Sequence, residues 1–262
     1  MTDPTPSAYL IDLDGTLYVG GAAIPGAVET LRRLRREGIP FRLVTNTTSR
    51  SRTMLLHRLR GDGFAVEAEE IFTATLAGAQ VLRAGGYRRV APFVPSAALD
   101  DLVGFTLVGG TATEPRGGTV EAVVLGDLGE RWSYTLLQEA FDYLMGGAVL
   151  VALSRDRYWH EGDRLALDAG PFVAGLEYAS GVQATVAGKP SEAFFAAAVR
   201  SLGLPAGTPV AMVGDDLWSD VDGAQRAGLW GWLVRTGKFR EETLRNSSIR
   251  PHRILASIAD LP

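Results

Sequence analysis

The stretch Tyr9-Leu10-Ile11-Asp12-Leu13-Asp14-Gly15-Thr16-Leu17 ends a short apolar run on two carboxylates and then breaks the chain with glycine. Strand interiors disfavour Asp, because burying an unpaired carboxylate is costly. Two of them two residues apart at a strand end therefore need a metal ion or a phosphoryl group nearby. The plain alternative is a solvated acidic turn after an edge strand.

Working outward, apolar runs of strand length recur at 41–45, 120–125, 149–153, 210–213 and 231–234, and helical patterns alternate with them. Val28, Leu31 and Leu34 form a stripe that stops at Gly38, and Leu55, Leu56 and Leu59 form another. Ser191 is placed to cap a helix carrying Phe194, Phe195, Ala198, Val199 and Leu202, while Val221, Ala224 and Ala227 lead to Gly228. Continuous apolar strands alternating with helices predict an α/β protein with a doubly wound, Rossmann-like parallel-sheet core. Between about 79 and 181 the glycine punctuation changes, and the polar strand-end motifs lie outside this stretch. The expected organisation is a catalytic core at 1–78 and 182–262 with a smaller α/β cap inserted at 79–181.

The chain has 262 residues, 46% of them apolar, enough for a sizeable core. With 26 basic against 30 acidic residues it has no electrostatic footprint for nucleic acid or an anionic membrane, and Arg32, Arg33, Arg35 and Arg36 read as a solvated helix face. The absence of cysteine excludes disulfides, thiolate metal sites and cysteine nucleophiles. No stretch is long and apolar enough to span a bilayer, and the first residues lack signal-peptide character, so a cytoplasmic location is expected.

Other strand ends carry unusual polar residues: Thr45-Asn46, Asp215-Asp216 followed by Asp220, and Gly188-Lys189-Pro190 before the strand at 210–213. Ligands of open α/β sheets bind outside the carboxyl ends of strands, so these groups can converge although they are far apart in sequence. Asp12, Asp14, Asp215, Asp216 and Asp220 would then repel one another unless neutralised, which forecasts a Mg²⁺ site. Lys189, Thr45 and Asn46 would oppose the charge of a phosphoryl group. A carboxylate nucleophile divides phosphoryl transfer in two: Asp12 would form an aspartyl phosphate and Asp14 would act as acid and then base.

These motifs in order, Asp12-Leu13-Asp14-Gly15-Thr16, Thr45-Asn46, Lys189 and Gly214-Asp215-Asp216 with Asp220, resemble the haloacid dehalogenase superfamily of phosphatases. The cap between the second and third motifs resembles the subgroup with the 4-nitrophenyl phosphatases. Leu167-Asp168-Ala169-Gly170-Pro171-Phe172 and Val234-Arg235-Thr236-Gly237-Lys238-Phe239, among other strings, are similar to the phospholysine phosphohistidine inorganic pyrophosphate phosphatases. The resemblance implies that Asp12, the Asp14 carbonyl and Asp215 bind Mg²⁺, that Thr45, Asn46 and Lys189 hold phosphate, and that Asp216 and Asp220 lie in or near the surrounding shell.

Those pyrophosphate phosphatases carry serine at the position of Asp14, which favours a phosphomonoester here over pyrophosphate or a phosphoramidate. The expected partner is a small-molecule phosphate, and the resemblance allows a homodimer through the cap. Candidate specificity residues in the cap are Asp127, Trp132, Tyr134, Tyr158, Trp159 and His160. A phosphomutase and a non-catalytic phospho-binding protein are the competing readings.

Overall fold

The computed structural model describes residues 5–115, 117–161 and 164–262, with His160 and Glu161 described by their backbone alone. The chain divides into two compact units. One runs up to Thr45 and includes Arg52–Phe72 and Lys189–Pro262; the other comprises Asn46–Ser51 and Thr73–Gly188.

The first unit is organised by a six-stranded sheet in the order Arg253–Leu255, Trp230–Val234, Val210–Gly214, Ala8–Asp12, Phe41–Thr45, Ile71–Thr73. Neighbours from Arg253–Leu255 through Phe41–Thr45 pair in parallel. Ala8–Asp12 and Val210–Gly214 are buried at every position, which is why both read as unbroken apolar runs and not as alternating ones. The chain leaves Ala8–Asp12 towards one edge and returns on its other side with Val210–Gly214, so the strand order reverses beside Asp12. In an open α/β sheet that reversal opens a crevice at the carboxyl ends.

The core here is built from Tyr9, Ile11, Leu31, Leu34, Leu43 and Trp232 with their neighbours. Removing each such side chain from water contributes about 1.5–3 kcal/mol. The helix Ala27–Arg36 buries Leu31 and Leu34, carries Glu29 in its first turn and ends on Arg33, Arg35 and Arg36, charges placed to favour the helix dipole. Its arginines pair locally, with Arg32 on Glu29, Arg33 on Glu37, and Arg35 on Glu70 at 2.7 Å.

The second unit has its own parallel sheet of five strands in the order Thr185–Val186, Val149–Ala152, Ala122–Leu125, Arg89–Phe93, Thr106–Leu107. Ala91, Phe93, Val123, Leu125, Leu150 and Val173 belong to its separate core. A two-stranded antiparallel hairpin, Tyr158–Glu161 with Arg164–Leu167, completes it.

The α/β class and parallel core sheet match expectation. Strand Arg89–Phe93 escapes sequence reading because it contains Pro92, which ordinarily demotes a strand to an edge. Ser191 caps Glu192–Ser201 as anticipated, its side chain accepting from the Phe194 N–H at 3.2 Å. The stripe from Val221 is not one α-helix: Leu217–Asp222 is wound as a π-helix before the short helix Gly223–Arg226. Among the described residues, no helix is long and apolar enough to cross a membrane.

Candidate active site

Parallel register brings the first unit's strand ends together. Ile11 pairs with Val213 and Asp12 with Val44, so Asp12, Thr45 and the residue following Gly214 emerge at one edge of the sheet. Asp12 is buried at the end of Ala8–Asp12, Thr45 is buried at the end of Phe41–Thr45, and Asp215 is buried just beyond Val210–Gly214. The loop after Asp12 must turn sharply against Asp215. Gly15 has φ +88°, and a Cβ there would lie 1.9 Å from Asp215 Oδ2, so only glycine fits.

Lys189 reaches into this edge from the start of the segment preceding Glu192–Ser201. Its Nζ donates to Asp12 Oδ1 at 2.5 Å and to Asp220 Oδ1 at 2.7 Å. Asp220, on the π-wound turn, accepts from the Asp216 N–H through its other oxygen at 3.1 Å. Asp12, Asp215 and Asp220 each offer a carboxylate oxygen, and these oxygens lie within 4.8 Å of one another.

Burial, opposed by Lys189 and reinforced by Asp14, raises Asp12 above the usual carboxylate range. Burial and the charges of Asp12 and Asp220 push Asp215 up to about 8. Burial, opposed by Lys189 and reinforced by Asp12 and Asp216, pushes Asp220 up to about 7. Burial alone would lower Lys189, but Asp12 and Asp220 outweigh it and hold the ammonium well above the usual lysine range. One buried ammonium thus pairs with Asp12 and Asp220 while the buried Asp215 lies against them, and the excess negative charge suits a hard divalent cation with oxygen ligands.

The other anticipated residues have these surroundings. Asp14 is exposed in the loop, where the Tyr18 hydroxyl donates to its Oδ2 at 3.3 Å and the Arg58 guanidinium lies 3.9 Å over the Tyr18 ring. Asn46 belongs to the second unit, where its Nδ2 donates to Asp156 Oδ2 at 3.4 Å. Asp216 has both oxygens engaged: Oδ1 accepts the Trp218 and Ser219 N–H groups at 3.0 Å, and Oδ2 accepts the Lys238 ammonium at 3.1 Å. Those donors outweigh burial and hold Asp216 below its ordinary value.

In the second unit, the Trp132 ring stacks on Phe172 with centroids 4.7 Å apart, so it packs with that unit's core. Tyr134, Tyr158 and Trp159 are exposed. The Asp127 N–H donates to Thr48 Oγ1, and its Oδ1 accepts the Gly129 N–H. The His160 side chain lies outside the described residues. Sequence reasoning assigned no role to Thr236 and Lys238, which both touch the acidic cluster or its loop. Their only signal was the string around them.

The chain matches the haloacid dehalogenase-like hydrolase family over residues 9–105 and the HAD-hydrolase-like family over residues 186–261. It is 43% identical over 235 residues to haloacid dehalogenase-like hydrolase domain-containing protein 2 of Homo sapiens, a match covering 89% of this chain and 85% of that protein. It is 36% identical over 257 residues to the phospholysine phosphohistidine inorganic pyrophosphate phosphatase of Homo sapiens, covering 96% and 91%. Among solved structures, the p-nitrophenyl phosphatase from Archaeoglobus fulgidus aligns with a TM-score of 0.88 at 29% identity, covering 98% of each chain. With its acidic strand ends inside the matched segments and a second parallel sheet encoded between the motifs, the chain belongs to the haloacid dehalogenase superfamily, in the p-nitrophenyl phosphatase-like subgroup.

Proposed function

We propose that this protein is a Mg²⁺-dependent phosphatase that hydrolyses a small phosphorylated substrate through an aspartyl phosphate on Asp12. The observation that carries this reading is the buried cluster of Asp12, Asp215 and Asp220 with Lys189 at the carboxyl edge of the sheet. The phosphatase names of the relatives support it.

In the first step a carboxylate oxygen of Asp12 attacks phosphorus while the bond to the leaving oxygen breaks, and Asp14 gives that oxygen its proton. In the second, water attacks phosphorus, Asp14 takes the water's proton, and the bond to Asp12 breaks to release inorganic phosphate. Lys189 keeps Asp12 charged and oriented, since its ammonium is already bonded to the nucleophile. Thr45, Asn46 and Lys189 are the donors for the phosphoryl oxygens. Asp14 is exposed, which suits a group that exchanges protons with a leaving group and with water.

Asp12, the Asp14 carbonyl and Asp215 would hold Mg²⁺, with Asp216 and Asp220 supporting them. The bound cation supplies neutralisation of phosphoryl charge.

A second reading, hydrolysis of pyrophosphate or of phosphohistidine and phospholysine, draws on the 36% identical relative of that name. A proton donor at Asp14 favours the monoester, because an alkoxide is a poor leaving group. The test is Mg²⁺-dependent phosphate release across phosphomonoesters, pyrophosphate and phosphoramidates, with Asp12→Asn as control. Preference for monoesters supports the first reading and preference for pyrophosphate or P–N bonds the second. No release from any compound points to a phospho-binding protein.

A further inference from the structure

Beyond the strand Trp230–Val234, the segment Thr236-Gly237-Lys238 returns to the acidic edge and makes three contacts there. The Thr236 hydroxyl donates to the Gly15 carbonyl at 2.5 Å. The Lys238 backbone N–H donates to Asp215 Oδ2 at 2.6 Å, and its ammonium donates to Asp216 Oδ2 at 3.1 Å. Gly237 permits this approach. Its φ is +57°, and a Cβ there would lie 2.0 Å from Asp215 Oδ2 and 2.5 Å from Gly15 Cα.

Resting on the phosphatase reading above, we propose that Thr236-Gly237-Lys238 is a clamp that holds the 12–16 loop and Asp215 in cation-binding register, with Thr236 as a positioning residue. The two sequence regions that supply the expected ligands, 12–14 and 215, have no covalent reason to keep a common geometry. This segment bonds at once to Gly15, directly after the first region, and to Asp215. The Gly15 carbonyl lies in the peptide to Thr16, one peptide beyond the Asp14 carbonyl, so fixing it anchors the loop that carries Asp14. One oxygen of Asp215 is committed to the Lys238 main chain, which restrains the orientation of the carboxylate. The Lys238 side chain is 57% exposed, so solvent screens its ammonium and the main-chain and hydroxyl bonds carry the clamp.

Outer partners that orient metal ligands are worth about 10–100-fold in metal affinity. The test is calorimetric titration of the full chain with Mg²⁺ alone, alongside thermal unfolding of the metal-free protein. Thr236→Val keeps the branched shape and removes the donor, and is expected to weaken Mg²⁺ binding about tenfold. Thr236→Ser, which restores the hydroxyl, is expected to recover most of that loss.

Gly237→Ala sits in an exposed loop and tests the clamp independently of how well Thr236→Val folds. It is expected to weaken Mg²⁺ binding at least as much; its Cβ against Asp215 and Gly15 also lowers the metal-free unfolding temperature, so its affinity is measured at a temperature where the metal-free variant is folded. Wild-type affinity in Gly237→Ala, or a Thr236→Ser as weak as a folded Thr236→Val, overturns the clamp. Mg²⁺ binding by the wild type without phosphate release sinks the phosphatase reading and leaves the clamp standing on its affinities. A wild type that binds no Mg²⁺ overturns both.

Discussion

Lys189 and Asp220 form a 2.7 Å ion pair in which the lysine side chain is 4% exposed and the aspartate 1%. The same ammonium holds Asp12, so one cation serves two buried carboxylates. Removing one partner of a buried pair leaves an uncompensated charge, which costs about 3–5 kcal/mol. Lys189→Met is therefore expected to lower unfolding free energy by that amount in urea titration. Adding Asp220→Asn to Lys189→Met should recover part of the loss, because it removes one of the stranded charges. A Lys189→Met protein as stable as wild type would contradict the pairing.

The raised carboxylates predict an unusual pH dependence for the metal-free protein. Asp215 is held near 8 and Asp220 near 7, above the ordinary 3.8. Between those values the folded state binds more protons than the unfolded chain, so stability falls as pH rises from the ordinary carboxylate range through about 7 to 8. Mg²⁺ bound by the folded chain counters that repulsion. Thermal unfolding with chelator should thus show a declining midpoint between about pH 5 and pH 8, with a larger stabilisation by Mg²⁺ at the upper end. A Mg²⁺ effect that shrinks with rising pH would argue against cation binding by this cluster.

The nucleophile and the acid are separable by kinetics. Asp12→Asn should abolish acid-stable labelling of the protein by phosphate and lower turnover by at least about a thousandfold. Asp14→Asn should act differently on a substrate with a good leaving group such as 4-nitrophenolate, which needs no proton. Rapid-quench measurements are expected to show a burst of nitrophenolate followed by slow release of phosphate. A single slow phase without a burst would remove Asp14 from the second step.

The candidates in the second unit divide by packing. Trp132 stacks on Phe172 and belongs with that unit's core, so Trp132→Ala is expected to cost about 3 kcal/mol. Tyr134 is 81% exposed, and Tyr134→Ala should change stability by less than about 0.5 kcal/mol. Denaturant titration of the two variants checks both values. If Tyr134→Ala altered substrate preference at unchanged stability, it would mark that residue as a specificity determinant.

The sequence by itself determined the α/β class, the parallel core sheet and the strand ends that carry Asp12, Thr45 and Asp215. These are local properties: an unbroken apolar run marks a strand buried on both faces, and a carboxylate or glycine at its end is visible without knowing the neighbours. Strands outside that logic were illegible. Arg89–Phe93 is interrupted by Pro92, and Arg253–Leu255 is a three-residue edge strand with two exposed positions.

Only the tertiary structure decided which polar groups meet. Lys189 reaches Asp12 across 177 residues of sequence, and Thr236 reaches Gly15 across 221. Those distances are closed by parallel strand register and by a π-wound turn that swings Asp220 onto Lys189, neither of which leaves a periodic trace in the chain. Asp220, read from the sequence as lying in or near the shell around the metal ligands, owes its burial and its ion pair to that turn. Composition shows how many charges a chain carries, but packing alone sets which of them must share a cation.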